Sequence, residues 1–417
     1  MLYRNVAFAG LIAACIAVEA VAHTDAEDAL ARHCLSCHSD RGAAPFRFDS
    51  IHGLLRSRQL MRALIEDNTM PPSLVNDYAH PITNNRKLNA ATKQVLLDAL
   101  STPESVRAAF PNFHANDDTE ACDERLRFSP FAAWTMPASG GMRLRTYLVE
   151  TARNAPARVR GFHSTAPRAF ASSPIRMLAC APDPSRSLAI LQEPNEAGFE
   201  AMGNVGTIPA GALGAITRVM PRFELPRGFT FLLPEGAIAM EMTSEPIGKA
   251  APVEADLAWI ESDAYDTRVV RAIALAPRQL RIPGGASLEC ARQHTIPRDL
   301  DLIGVIVKGG AFLRNVTLES RPLGGSLKPL LEIPDFRLAL SEPWFFETPI
   351  ALDRDERITA TFGFDNTSEN PQQPLDPPQE VIGGLPPEGE DSVVILLVAD
   401  RVRGSTPAVL PTNTPSR

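Results

Sequence analysis

Two thiols and an imidazole stand together in Cys34-Leu35-Ser36-Cys37-His38. Thiols at this spacing can add to the two vinyl groups of a porphyrin as thioethers. A histidine directly after the second thiol then reaches the iron from the proximal side, which is the attachment pattern of a c-type haem. Other chemistry can use the same residues. A thioredoxin-like redox pair would follow a strand and open a helix, whereas this pattern closes a helical segment. A zinc site would need a second ligand pair at metal spacing, and none is nearby. Two structural cysteines are the remaining reading. One covalent haem c is the cofactor the pattern favours, with Cys34 and Cys37 as anchors and His38 as the proximal iron ligand.

A haem iron takes a second axial ligand, and a thioether in that place raises the reduction potential. Met70 lies in Asn68-Thr69-Met70-Pro71-Pro72, where the prolines forbid helix and fix an extended loop. It is the candidate distal ligand. The alternatives are an open iron, or ligation by His52 or His80. His33 reads as a surface residue, and Phe46 and Phe48 as walls of the haem pocket.

These residues need elements to hold them. Thr24-Asp25-Ala26-Glu27 is a capping box that opens a helix running to the haem cysteines. A second helix is expected over about residues 50–67, where Ile51, Leu54, Leu55, Met61, Leu64 and Ile65 form an apolar stripe. A third is expected over about 89–100, stopped by Thr102-Pro103. Helix with haem motif, loop, helix, Met-Pro-Pro loop, helix: residues 25–100 resemble a class I cytochrome c domain. The resemblance implies a small all-α domain, assigned to residues 23–102, with a linker at 103–125.

Residues 1–22 read as an export signal, with Arg4, an apolar run from Val6 to Val18, and small residues Ala20-Val21-Ala22 at the cleavage site. Ile12-Ala13-Ala14-Cys15 also resembles a lipoprotein box, so a membrane attachment exists only if Cys15 is lipidated. The expected location is periplasmic or otherwise exported, the side on which haem becomes covalently attached. The net charge of −8 gives no basic footprint for nucleic acid. Cys122, Cys180 and Cys290 remain outside motif and signal, and two of them could pair in an oxidising compartment.

From about residue 126 the texture changes. Short β-prone runs alternate with Pro and Gly turns: 142–150, 186–191, 229–233, 237–243, 257–260, 269–275, 302–307, 312–319, 357–364 and 392–398. So many short strands argue for antiparallel sandwiches, and the length argues for two, at 126–260 and 261–400, joined near 261–281. The run Glu388-Gly389-Glu390-Asp391 reads as a solvated loop, and 401–417 as a disordered tail.

Three stretches are similar to the copper type II, ascorbate-dependent monooxygenases, the relatives of peptidylglycine hydroxylating and dopamine β-monooxygenases. These are 233–249, 302–319 and Thr361-Phe362-Gly363-Phe364-Asp365-Asn366-Thr367-Ser368-Glu369-Asn370-Pro371. The resemblance implies two jelly rolls side by side and two copper centres. One centre takes a His-His pair and a further His, the other His-x-His and a Met. At the corresponding positions this chain has Ile175-Arg176, Thr243, Lys308-Gly309-Gly310 and Ser392-Val393. His163 and His294 lie elsewhere, so copper is not expected and the β region reads as a pseudoenzyme.

The fold expected is therefore multidomain, a small all-α cytochrome c domain followed by two all-β jelly-roll sandwiches. The function expected is that of an exported monohaem c-type cytochrome passing single electrons to a redox partner protein, with the β region as a docking or binding module. The alternative is a haem-linked oxidoreductase, monooxygenase-like or peroxidase-like, with an unrecognised site. A third possibility is a binding module in which haem is a sensor or staple.

Overall fold

A computed structural model describes residues 25–39, 44, 46–72, 75–76, 79–83, 85–111, 134–150, 157–164, 174–180, 198–200, 211–217, 220–235, 237–253, 257–338, 341–384 and 389–402. The signal with Cys15 and Thr24, and also His114, Cys122, the run 186–191 and most of the tail, lie outside the described residues. The chain divides into two units: residues 1–73 with 86–119, and residues 74–85 with 120–417.

In the first unit a helical stretch at 25–30 runs into a five-residue π-helical turn, Ala31–Leu35. Helices α1 (Ile51–Glu66), α2 (Ala90–Ala99) and α3 (Pro103–Ala109) follow. Each start is set by a side-chain cap. Ser50 accepts from the Gly53 amide, Asn89 from Thr92 and Thr102 from Ser105, satisfying backbone donors that have no partner within the helix. Pro103 stops nothing. It sits in the first turn of α3, where a missing N–H costs no hydrogen bond. The segment read as the start of a linker is therefore helical, and it buries Val106 and Phe110 against Leu54, Met61, Ile65, Leu96 and Leu100.

The class I cytochrome c domain expected over 23–102 is not apparent. The described helices are four short pieces, while strand makes up 45% of the structure. Residues 74–85, expected to join two helices of that domain, belong to the β unit. There Asn76 donates its amide to Glu332, Thr83 to Phe345, and Glu347 returns its own to Pro81.

The β unit is built from three main sheets. A five-stranded sheet orders Phe199–Glu200, Arg143–Glu150, Ala237–Ser244, Pro174–Cys180 and Ala212–Thr217. An eight-stranded sheet orders Leu257–Glu261, Ala157–Ser164, Phe229–Leu233, Arg268–Leu275, Val393–Asp400, Leu300–Lys308 and Pro343–Leu352, with Arg222–Glu224 also paired to Ala157–Ser164. A four-stranded sheet orders Ser287–Thr295, Arg357–Asp365, Leu313–Arg321 and Lys328–Ile333.

The two sequence halves are not separate sandwiches. They meet in the eight-stranded sheet, where Phe229–Leu233 pairs in parallel with Arg268–Leu275, the strand expected at the joint. Val393–Asp400 shows the consequence. Val393, Ile395, Leu397 and Ala399 pack into one core with the five-stranded sheet, and Val394, Leu396 and Val398 into another with the four-stranded sheet. A strand buried on both faces must be apolar at successive positions, which is why the run Val-Val-Ile-Leu-Leu-Val has no alternation. In the adjacent strand a bulge at Ile303-Gly304 shifts the register between Leu302 and Gly304. A Cβ on Gly304 would lie 2.5 Å from the Trp344 carbonyl oxygen, so the close approach of these strands requires glycine.

Candidate functional site

The thiol and imidazole residues lie on one turn. The amides of Cys37 and His38 both donate to the Cys34 carbonyl, at 3.2 and 3.0 Å. Ala44 and Phe48 close the following loop by donating to the carbonyls of Cys37 and His38. Neither cysteine forms a disulfide. Cys34 is buried among Ala26, Leu30 and Phe48, and burial pushes its thiol up to about 12, with Cys37 adding to the effect. His38 stacks on Phe48 at 4.1 Å between ring centroids. Its Nδ1 lies 2.7 Å from the Phe46 carbonyl oxygen. A carbonyl can only accept, so Nδ1 carries the proton and Nε2 keeps its lone pair. Burial lowers the His38 pKa, against the opposing pull of this hydrogen bond, and so favours the same neutral form.

Met70 follows α1, half-buried, its amide donating to Leu64 at 3.1 Å. His52 is exposed on α1. His80 belongs to the β unit, edge-on to Phe346. His33 is not a free surface residue, since its Nδ1 is 2.9 Å from the Arg86 carbonyl oxygen. Phe48 is buried against His38, as a pocket wall would be, whereas Phe46 is largely exposed.

The metal-binding cytochrome expected from the sequence is not supported. No such fold is apparent, and among the described residues no group of three or more His, Cys, Asp or Glu could hold a metal ion. What the turn does offer a porphyrin is a donor set: two cysteines that form no disulfide and an imidazole whose Nε2 has no partner among the described residues. A covalently attached haem fits that chemistry.

A second constellation lies in the β unit, and the sequence reading missed it. Lys308 is fully buried at the end of Leu300–Lys308. It pairs with Asp391 and, at 2.7 Å, with Glu241 of the strand Ala237–Ser244. Arg176 donates through Nη2 to Thr243 Oγ1 at 3.3 Å, while its Nε and Nη1 and both Glu241 oxygens lack an aligned hydrogen-bond partner. Burial lowers the Arg176 pKa against the pull of Glu241, and burial raises that of Glu241 against the pull of Lys308. Glu390, read as part of a solvated loop, is 2% exposed. It accepts from the amides of Gly310 and Phe312 and from the Ser392 hydroxyl. Of the stretches that the resemblance singled out, Ile175-Arg176, Thr243, Lys308-Gly309-Gly310 and Ser392-Val393, each has a residue in or bonded to this ionic cluster. The signal available in the sequence was Glu241 inside Ala237-Ile238-Ala239-Met240-Glu241-Met242. A lone carboxylate in an apolar β run needs a buried partner.

Neither Cys180 nor Cys290 forms a disulfide, so neither takes part in the pairing left open among Cys122, Cys180 and Cys290. His163 sits in Ala157–Ser164 opposite Ala258 and Arg222. His294, in Ser287–Thr295, has a buried Nε2 without a hydrogen-bond partner. No described helix is long and apolar enough to cross a membrane.

No protein-family model matches the sequence, and no curated protein matches it. Among solved structures, similarity was found to the VP2 subviral particle of infectious bursal disease virus, with 10% identity, 67% of this chain and 74% of that chain covered, and a TM-score of 0.18. The major capsid protein P2 of bacteriophage PM2 gives 8% identity, coverage of 67% and 100%, and a TM-score of 0.24. An allantoicase gives 13%, coverage of 64% and 83%, and 0.17. At these TM-scores the likeness carries no argument.

Proposed function

We propose that the chain carries one haem bound covalently through Cys34 and Cys37, that His38 and Met70 would hold its iron, and that the chain passes single electrons to a partner protein in an exported compartment. The bound group would supply one reversible electron at its iron. The chain's own residues do the rest. Cys34 and Cys37 fix the group to the turn. His38 presents Nε2 because the Phe46 carbonyl holds the proton on Nδ1, the arrangement that orients a metal-ligating histidine. Phe48 keeps the ring in plane by stacking on it. The single observation that carries this reading is the His38–Phe46 hydrogen bond directly beside two cysteines that form no disulfide.

In the same reading the β unit is a relative of the copper monooxygenases whose copper positions have passed to an ionic cluster. It serves to dock the redox partner or to hold a ligand. A Lys308 ammonium between two carboxylates neutralises charge that a divalent cation would otherwise offset.

The full chain should be produced in an exporting host with a haem-attachment pathway, then denatured and extracted with acid and organic solvent. Haem that stays with the polypeptide, and is lost in Cys34→Ala with Cys37→Ala, is the expected result. Haem that is absent or wholly extractable would refute covalent attachment.

A further inference from the structure

Beside the ionic cluster lies a cavity of about 580 Å³, lined by Ala276, Pro277, Leu280, Ile382, Glu390 and Asp391 among others. Its volume is in the range of small-ligand sites. Two kinds of surface meet in it. One wall is apolar, with Leu280 nearly buried and Ile382 half exposed. The other is acidic, but its two carboxylates are not equivalent. Both Glu390 oxygens are spent on Gly310, Phe312 and Ser392. Asp391 gives Oδ2 to Lys308, while Oδ1 has no partner among the described residues, and the side chain keeps 18% of its surface exposed.

Among the described residues, Glu241, Glu390 and Asp391 face Lys308 and Arg176. Burial raises the pKa of Glu241 and of Glu390, so a proton on either balances the buried charges. Asp391 is the carboxylate with exposed surface at the cavity, and Arg281, which also lines it, is engaged by Glu380 at 3.4 Å. A cation with N–H donors satisfies Asp391 Oδ1. A short alkyl chain on that cation covers Ile382 and Leu280.

We propose that this cavity is a binding site for a small alkylammonium compound, its ammonium held by Asp391 and its chain by the Leu280–Ile382 wall. The site is independent of the haem reading and can hold or fail without it.

The test uses n-butylammonium chloride as probe on the full chain, by titration calorimetry at fixed ionic strength, with n-butanol and butyrate as controls. Saturable binding of n-butylammonium alone is expected. Asp391→Asn should weaken it by roughly thirtyfold or more, since it removes the charged partner of a desolvated contact. Ile382→Trp should also abolish it, by filling the mouth from an exposed position that leaves Lys308 paired, and this variant decides the matter should Asp391→Asn not fold. Absence of n-butylammonium binding at millimolar concentration overturns the proposal. Equal binding of n-butanol, or binding unchanged in Ile382→Trp, does so as well.

Discussion

Lys308 Nζ and Glu241 Oε1 meet at 2.7 Å, each side chain 1% exposed, and the contact ties the eight-stranded sheet to the five-stranded one. Taking two charges out of water costs several kcal/mol per ion, which the pair recovers only while both members are present. Lys308→Met leaves Glu241 and Asp391 without their cation and should cost about 3–5 kcal/mol. Glu241→Leu with Lys308→Met should recover a large part of that loss. Urea unfolding of the two single variants and the double variant measures the coupling. Strictly additive losses would show that the pair is not a unit.

The same pair gives a pH dependence of definite sign. Burial works against the Lys308 ammonium, but Asp391 and Glu241 outweigh it and hold its pKa above the ordinary 10.5. A lysine raised in the folded state contributes stability that is complete below its unfolded value and is lost as pH climbs through the folded one. The urea midpoint of the wild type should therefore fall more steeply above pH 10.5 than that of Lys308→Met. Parallel curves would mean that another group titrates.

How far the sequence could be read depended on whether the determining contact was local. The caps Ser50 and Asn89 act within three residues, so α1 and α2 fall where the pattern places them. Part of the strand set was legible in the same way, but Ala157–Ser164, Pro174–Cys180, Ala212–Thr217, Ser287–Thr295 and Pro343–Leu352 were not among the expected runs. The sharing of one sheet by both halves was not legible, because nothing near Phe229 announces a parallel partner at Arg268. Thr102-Pro103 reads equally as a helix stop and a helix start, and only the burial of Phe110 decides it. At the candidate sites the split is similar. Cys34, Cys37 and His38 lie within five residues, whereas Lys308, Glu241 and Asp391 are assembled from distant segments, and Asp391 reads from the sequence as part of a solvated loop.

Asn366 shows a motif residue with a structural task. It is fully buried, and its Nδ2 donates to the carbonyls of Ile282, Pro283 and Gln379, while Oδ1 accepts from Gln373 at 2.9 Å. Asn370 repeats the device, donating to Ala311 and Asp365. The Asp-Asn…Asn-Pro stretch thus pins the excursion at 366–380 to the strand Arg281–Ile282. Asn366→Ala strands buried carbonyls and should cost about 2–4 kcal/mol, more than one exposed hydrogen bond would. A loss under about 0.5 kcal/mol by urea unfolding would show that the excursion is held by other contacts.

Met70 is the remaining test of the proposed haem ligands. Its place directly after α1 is fixed by the Met70 and Thr69 amides, which both donate to the Leu64 carbonyl, at 3.1 and 2.9 Å. The loop thus has little freedom to present a different residue at that point. A thioether on the iron gives the oxidised protein a weak near-infrared band and raises the potential. In Met70→Ala the band should vanish and the potential should fall, with covalent haem retained because Cys34 and Cys37 are untouched. His52→Ala and His80→Ala should leave both unchanged. A band that persists in Met70→Ala, or that is lost with either histidine, would assign the second axial ligand elsewhere.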